Sequence, residues 1–126
     1  MELLSLSPRE YHQRQEKARI REREVLREEV LEAVRGAILR WAPRFPAIRT
    51  VDLFGSLVQP GRFRPGSDVD LAVDCEDLET ESRFWRVLEE ELERDVDLRP
   101  RRGSVARAVE AYGERCYDRD LPAPRK

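Results

Sequence analysis

Histidine and cysteine are scarce in this chain of 126 residues, which has one histidine and two cysteines. Cys75 and Cys116 stand far apart with no CxxC spacing, and His12 is remote from both in sequence. That pattern speaks against a zinc site and leaves the thiols as packing residues. Long apolar runs are also missing. No stretch approaches the length of a membrane span and nothing resembles a signal peptide, so the chain is expected off the membrane, in the reducing cytoplasm. Nor is there a surplus of positive charge. Lysine and arginine number 24 against 26 aspartates and glutamates, a net charge of -2. No global field recruits nucleic acid, and a bare nucleic-acid binder is disfavoured, although a local basic patch remains open.

What is present is enough for one domain with a modest core, since hydrophobic residues make up 40% of the chain. Ser7-Pro8-Arg9-Glu10 reads as an N-cap serine, a proline at the first helical position and a glutamate three residues into the helix. Few breakers follow before Pro43, so a helix of about 30 residues or more is expected. Its second half carries Leu26, Val30, Val34, Ala37 and Trp41 at helical spacing and should pack on the core. Its first half is a near balance of basic and acidic residues with few apolar breaks, which suits a projecting, solvated rod. Tyr11, Ala18 and Val25, seven apart, alternatively form a narrow seam for self-association or a partner.

The rest is organised around Leu53 to Val73. Ile48 to Phe54 reads as a first strand that runs into Gly55, where a missing Cβ permits a turn. Ser56 is placed to cap that turn and, with the amides after Gly55, to face a phosphate. A loop from Gln59 to Ser67 follows, with Gly61 and Gly66 for flexibility and Arg62 and Arg64 for charge toward a triphosphate or an acceptor. In Asp68-Val69-Asp70-Leu71-Ala72-Val73, strand alternation puts Asp68 and Asp70 on one face and the apolar Val69, Leu71 and Val73 on the other. Neighbouring carboxylates repel unless a cation sits between them, and a hard divalent ion, magnesium, is the expected resident.

After an acidic turn from Cys75 to Glu79, Phe84, Leu88 and Leu92 mark a helix that ends near Arg94. Asp95 to Leu98 then reads as a third strand, set beside the second by the crossover helix, with Asp97 as a third carboxylate. Arg99 to Arg102 is read as a basic turn, Ser104 as the cap of a last helix through Val105, Ala108, Val109 and Tyr112, and Cys116-Tyr117 as an edge segment. The organisation expected is a long N-terminal helix over residues 1–42, a domain over 43–118 and a loose tail over 119–126.

Gly55-Ser56, a basic loop and Ser67-Asp68-Val69-Asp70-Leu71, followed by Val96-Asp97-Leu98, resemble the minimal nucleotidyltransferase group of the DNA polymerase beta-like superfamily. The resemblance implies an α+β fold, a small mixed sheet packed by helices. It departs from the family in the Leu57 to Ser67 gap, one residue longer than usual, and in Gln59-Pro60, where Arg-Gly is common. The resemblance also implies the roles. Asp68, Asp70 and Asp97 would be catalytic and hold two magnesium ions, Gly55 and Ser56 would hold the phosphates of ATP, and Arg62 and Arg64 would assist. Minimal nucleotidyltransferases of this kind commonly pair with a HEPN-domain toxin and transfer adenylyl groups onto it, which implies an antitoxin. A degenerate module that neutralises its partner by contact alone is the alternative, and a transferase acting on a nucleic-acid end or small molecule is a third.

Overall fold

The computed structural model describes residues 5–121. A 34-residue helix α1 (Pro8–Trp41) opens the fold, about 51 Å long at the usual helical rise. Ser7 caps it as the sequence indicates, its hydroxyl accepting from the Glu10 amide at 3.1 Å. The buried residues of α1 are Leu31, Val34, Ala37 and Ile38, while Tyr11, Ile20 and Val25 in its first half are exposed. Met1 to Leu4 lie outside the described residues.

A short 3-10 turn (Ala42–Arg44) leads into β1 (Ile48–Phe54), and a second (Gly55–Val58) leaves it. Then come β2 (Val69–Cys75), α2 (Leu78–Leu92), β3 (Val96–Pro100), α3 (Gly103–Tyr112) and β4 (Glu114–Asp118). The four strands form one mixed sheet in the order β3-β2-β1-β4. β1 runs antiparallel to both neighbours, whereas β2 and β3, joined through α2, are parallel. The expected α+β class, with its small mixed sheet and long first helix, is the one observed.

Alternation divides the strands between two faces. Leu53 faces Leu71, Val51 faces Val73, and Val69 and Leu71 face Val96 and Leu98 across the ladders. All seven are buried in the main core with Leu31, Val34 and Ile38 of α1 and Phe84 and Leu88 of α2. The opposite face is covered only in part: α3 lays Val105, Ala108 and Val109 on Phe54 and Ala72. Asp70 and Asp97 belong to the same face as Ala72, beside the patch that α3 covers, and stay half-exposed.

The structure differs from the sequence-based expectation at three points. Ser104 does not cap α3: the cap position is Arg102, two residues earlier, because Gly103 at φ +55° makes the turn into the helix. Ser56 does not cap the turn after β1 either, since the turn starts directly from extended Phe54 and Ser56 is its second residue. Arg99 and Pro100, read as part of a turn, continue β3 opposite Ala72 and Val73. A proline is tolerated there because β3 is the edge of the sheet.

Beyond β4, the Arg119 amide donates to the Arg49 carbonyl at 2.8 Å, and its guanidinium reaches the Pro46 carbonyl and Glu76. Residues 122–126 of the expected tail lie outside the described residues.

Candidate active site

The site is built at the end of β1 and the start of β2. Gly55 leaves β1 at φ +75°, a conformation that disfavours any residue with a Cβ. An added Cβ there would lie 2.1 Å from Oδ2 of Asp70 and 2.9 Å from its Cγ. The Gly-Ser turn and the Asp70 carboxylate are thus packed directly against each other. Gln59 closes the turn from the far side: its side-chain amide donates to the Gly55 carbonyl at 3.0 Å, and its backbone N–H donates to the Ser56 carbonyl at 3.1 Å. Ser56 is half-buried.

Asp70 and Asp97 stand opposite each other in the parallel β2-β3 ladder. Asp68 lies one residue before β2 and is exposed. Burial pushes the Asp70 carboxyl above its ordinary range, the negative charge of Asp97 adds to the shift, Arg99 opposes it, and Asp68 adds a smaller push. The carboxylates therefore sense one another, and a cation among them would be stabilised. In this structure that cation is Arg99. Its guanidinium donates to Oδ2 of Asp97 at 2.7 and 3.0 Å, two residues along the same strand face.

Oxygen donors of this kind suit a hard divalent ion. Among the described residues, however, no three acidic, histidine or cysteine side chains stand close enough together to hold a metal. The physical reason is visible in the pairing: Asp97 is engaged by Arg99 while Asp68 is set outside the strand.

The loop after the turn is fixed at its middle. Phe63 is buried in the main core, and Arg94 lies over its ring at 5.3 Å while donating to the Pro65 and Ser67 carbonyls at 3.2 Å each. Arg62 and Arg64 on either side are exposed, and among the described residues neither guanidinium is engaged in an ion pair. An open depression of about 300 Å³ lies between Pro65–Ser67 and Glu93–Asp95, with Asp68 in its wall. Asp70, Asp97 and Gly55 do not line it. The structure thus brings Gly55, Asp70 and Asp97 together, sets Asp68 beside them and leaves Arg62 and Arg64 in solvent.

Sequence reasoning missed a second charged cluster on the same sheet face. Asp52 is 1% exposed and accepts from Arg101 at 3.2 Å and from Arg115 of β4. Asp52 faces Arg115 across the β1-β4 ladder. Its signal was an aspartate inside an apolar strand, where burial demands a partner. The anchor Phe63 was equally legible as the one aromatic residue in a loop of arginine, glycine and proline.

Comparison with known proteins agrees with this geometry. The family described as polymerase beta, nucleotidyltransferase matches residues 37–120. Among solved structures, a toxin-antitoxin crystal structure with AMP-PNP is similar at 26% identity and a TM-score of 0.56, over 67% of this chain and 73% of that one. A complex of a tri-AMPylated HEPN toxin from Shewanella oneidensis with its MNT antitoxin is similar at 22% identity and a TM-score of 0.51, over 69% of this chain and 71% of that one. The toxin-antitoxin complex MntA-HepT likewise has 22% identity and a TM-score of 0.51, over 69% and 72%. These last two likenesses concern the fold. The curated proteins contain no match. With its family match spanning β1 to β4 and its Gly-Ser turn packed on an aspartate-bearing strand, the chain belongs to the polymerase beta nucleotidyltransferase family.

Proposed function

We propose that this chain is an antitoxin that transfers AMP from ATP to a hydroxyl group on a HEPN-type toxin. The observation that carries the reading is the packing of Gly55 on Asp70 with Asp97 opposite, within a family whose activity is nucleotidyl transfer. The similar toxin-antitoxin structures, one with AMP-PNP and one with an AMPylated HEPN toxin, support the choice of nucleotide and acceptor.

In this reading Gly55 and Ser56 receive the β- and γ-phosphates, as backbone amides at such a turn do. Arg62 and Arg64, exposed beside the turn, supply positive charge to the triphosphate. Asp68, Asp70 and Asp97 would hold magnesium, whose chemistry is to polarise the α-phosphate and to neutralise the departing pyrophosphate. Asp97 must part from Arg99 to take this role. Asp97 also faces the acceptor and draws the proton from its hydroxyl. The hydroxyl oxygen bonds to the α-phosphorus, the bond from that phosphorus to the bridging oxygen breaks, and pyrophosphate leaves with the electron pair. The reaction belongs in the cytoplasm, where ATP and free thiols are compatible. Among the described residues, no helix is long and apolar enough to cross a membrane.

Calorimetry with ATP, with and without Mg²⁺, tests the nucleotide half of this reading. Binding is expected to require Mg²⁺ and to vanish in the double variant Asp68→Ala, Asp70→Ala. A double variant that binds as the wild type does would remove both aspartates from the site.

A further inference from the structure

The family match begins at residue 37, yet two residues of α1 well before that point reach the turn and loop of the site. Arg27 donates from Nη1 to the Leu57 carbonyl at 3.0 Å, inside the 3-10 turn that carries Gly55 and Ser56. Glu24 accepts from the Gly61 amide at 2.6 Å, and the two side chains are joined by an Arg27 Nε to Glu24 Oε2 bond at 3.1 Å. The Gly61 amide is the main cause that holds the Glu24 carboxyl below its ordinary range. Gly61 takes φ +81°, and a Cβ added there would meet nothing within 4 Å, so no side-chain packing at this position fixes the loop. Arg27 is only 12% exposed at its side chain, unlike the solvated residues of the helix before it.

We infer that Glu24 and Arg27 are positioning residues for the nucleotide, a brace by which α1 holds Leu57 to Gly61 and, through them, the phosphate-facing amides at Gly55 and Ser56. The chain of bonds is continuous. Arg27 fixes Leu57, Glu24 fixes Gly61, and between them Gln59 ties back to Gly55 and Ser56. A turn held in its binding conformation before the ligand arrives loses less entropy when the ligand binds. The inference rests on the proposed nucleotide site and adds to it two residues that touch neither nucleotide nor metal. It also gives a role to Gln59, one of the departures from the family pattern.

The test uses the full chain with Arg27→Met, Arg27→Lys and Glu24→Gln. Amide hydrogen exchange without nucleotide reads the brace, calorimetry with Mg²⁺ and ATP reads its consequence, and a thermal melt reads general stability. In Arg27→Met and Glu24→Gln, exchange at Gln59, Gly61 and Arg62 is expected to accelerate, and ATP affinity to fall about tenfold, the scale of one charge-assisted hydrogen bond. The melting temperature should move little, and Arg27→Lys, which keeps a donor for Leu57, should recover most of the affinity. Faster exchange with unchanged affinity overturns the inference, as does unchanged exchange. A loss of affinity matched by a general loss of stability overturns it too. Wild-type protein that binds no ATP instead defeats the proposed nucleotide site itself, which keeps the two failures distinct.

Discussion

Gly55 and Asp70 are packed so closely that the glycine has no space for a Cβ: the added atom would fall 2.1 Å from the carboxylate. Gly55→Ala therefore meets two obstacles, the left-handed backbone at φ +75° and the displacement of Asp70. The first costs about 1–2 kcal/mol. The second moves the carboxylate from its place, so ATP binding should be lost while the domain still folds. Melts and calorimetry on the purified variant check both parts, and a variant that binds ATP normally would separate the turn from the site.

The pairing of Arg99 with Asp97 predicts competition with metal. Removing the guanidinium in Arg99→Gln frees the carboxylate and strips a positive charge from beside Asp70. Solvent screens an exposed pair of this kind, so Mg²⁺ affinity without nucleotide should rise only modestly, about two- to fivefold. Titration calorimetry registers the change, and a weaker metal affinity would mean that Arg99 supports the metal instead of excluding it.

Asp52 should behave as a structural residue. Its carboxylate is buried between Arg101 and Arg115, and its removal leaves two guanidinium groups against a buried face. Asp52→Ala should cost roughly 3 kcal/mol, the scale for breaking a buried ion pair by removing one partner. Chemical denaturation gives the number, and a loss under about 1 kcal/mol would place the cluster in water.

How much of this was legible beforehand follows from the range of each interaction. Strand alternation in Asp68 to Val73 and a crossover helix are local signals, and they sufficed to set Asp70 near Asp97. Asp52 with Arg115 depends on β4 returning beside β1, and Glu24 with Gly61 joins positions 37 residues apart, so neither is written in local pattern. Ser104 was misread because its residue type favours caps, whereas the backbone freedom of Gly103 decided where α3 begins. The Arg99 contact was missed because a basic residue near a proline reads as a turn, although an edge strand admits both.

A pH dependence follows from Glu114, which receives two bonds from Arg35 of α1 at 2.6 and 2.7 Å. That pairing, the largest cause, holds the Glu114 carboxyl below its ordinary value of 4.5. With the folded value depressed, the stabilisation is full above 4.5 and is lost as pH falls through the folded value. Both side chains are substantially exposed, so the contribution is at most about 1 kcal/mol. Glu114→Gln should accordingly melt lower than wild type at neutral pH, and the gap should close in acid. A gap that persists or widens in acid contradicts the ion-pair origin.

Adenylyl transfer leaves a mass on its acceptor, which intact-mass spectrometry of the partner reads. Purified protein is mixed with ATP, Mg²⁺ and a HEPN-type toxin of the kind proposed as its partner. The partner should gain the mass of one or more adenylyl groups, with pyrophosphate released. Asp97→Asn, which keeps an oxygen acceptor but loses the charge that draws the proton, should abolish the gain while ATP binding through Asp68 and Asp70 partly survives. A partner that is bound tightly by the wild-type chain yet keeps its original mass would rule out transfer, and the chain would then be a module that neutralises by contact alone.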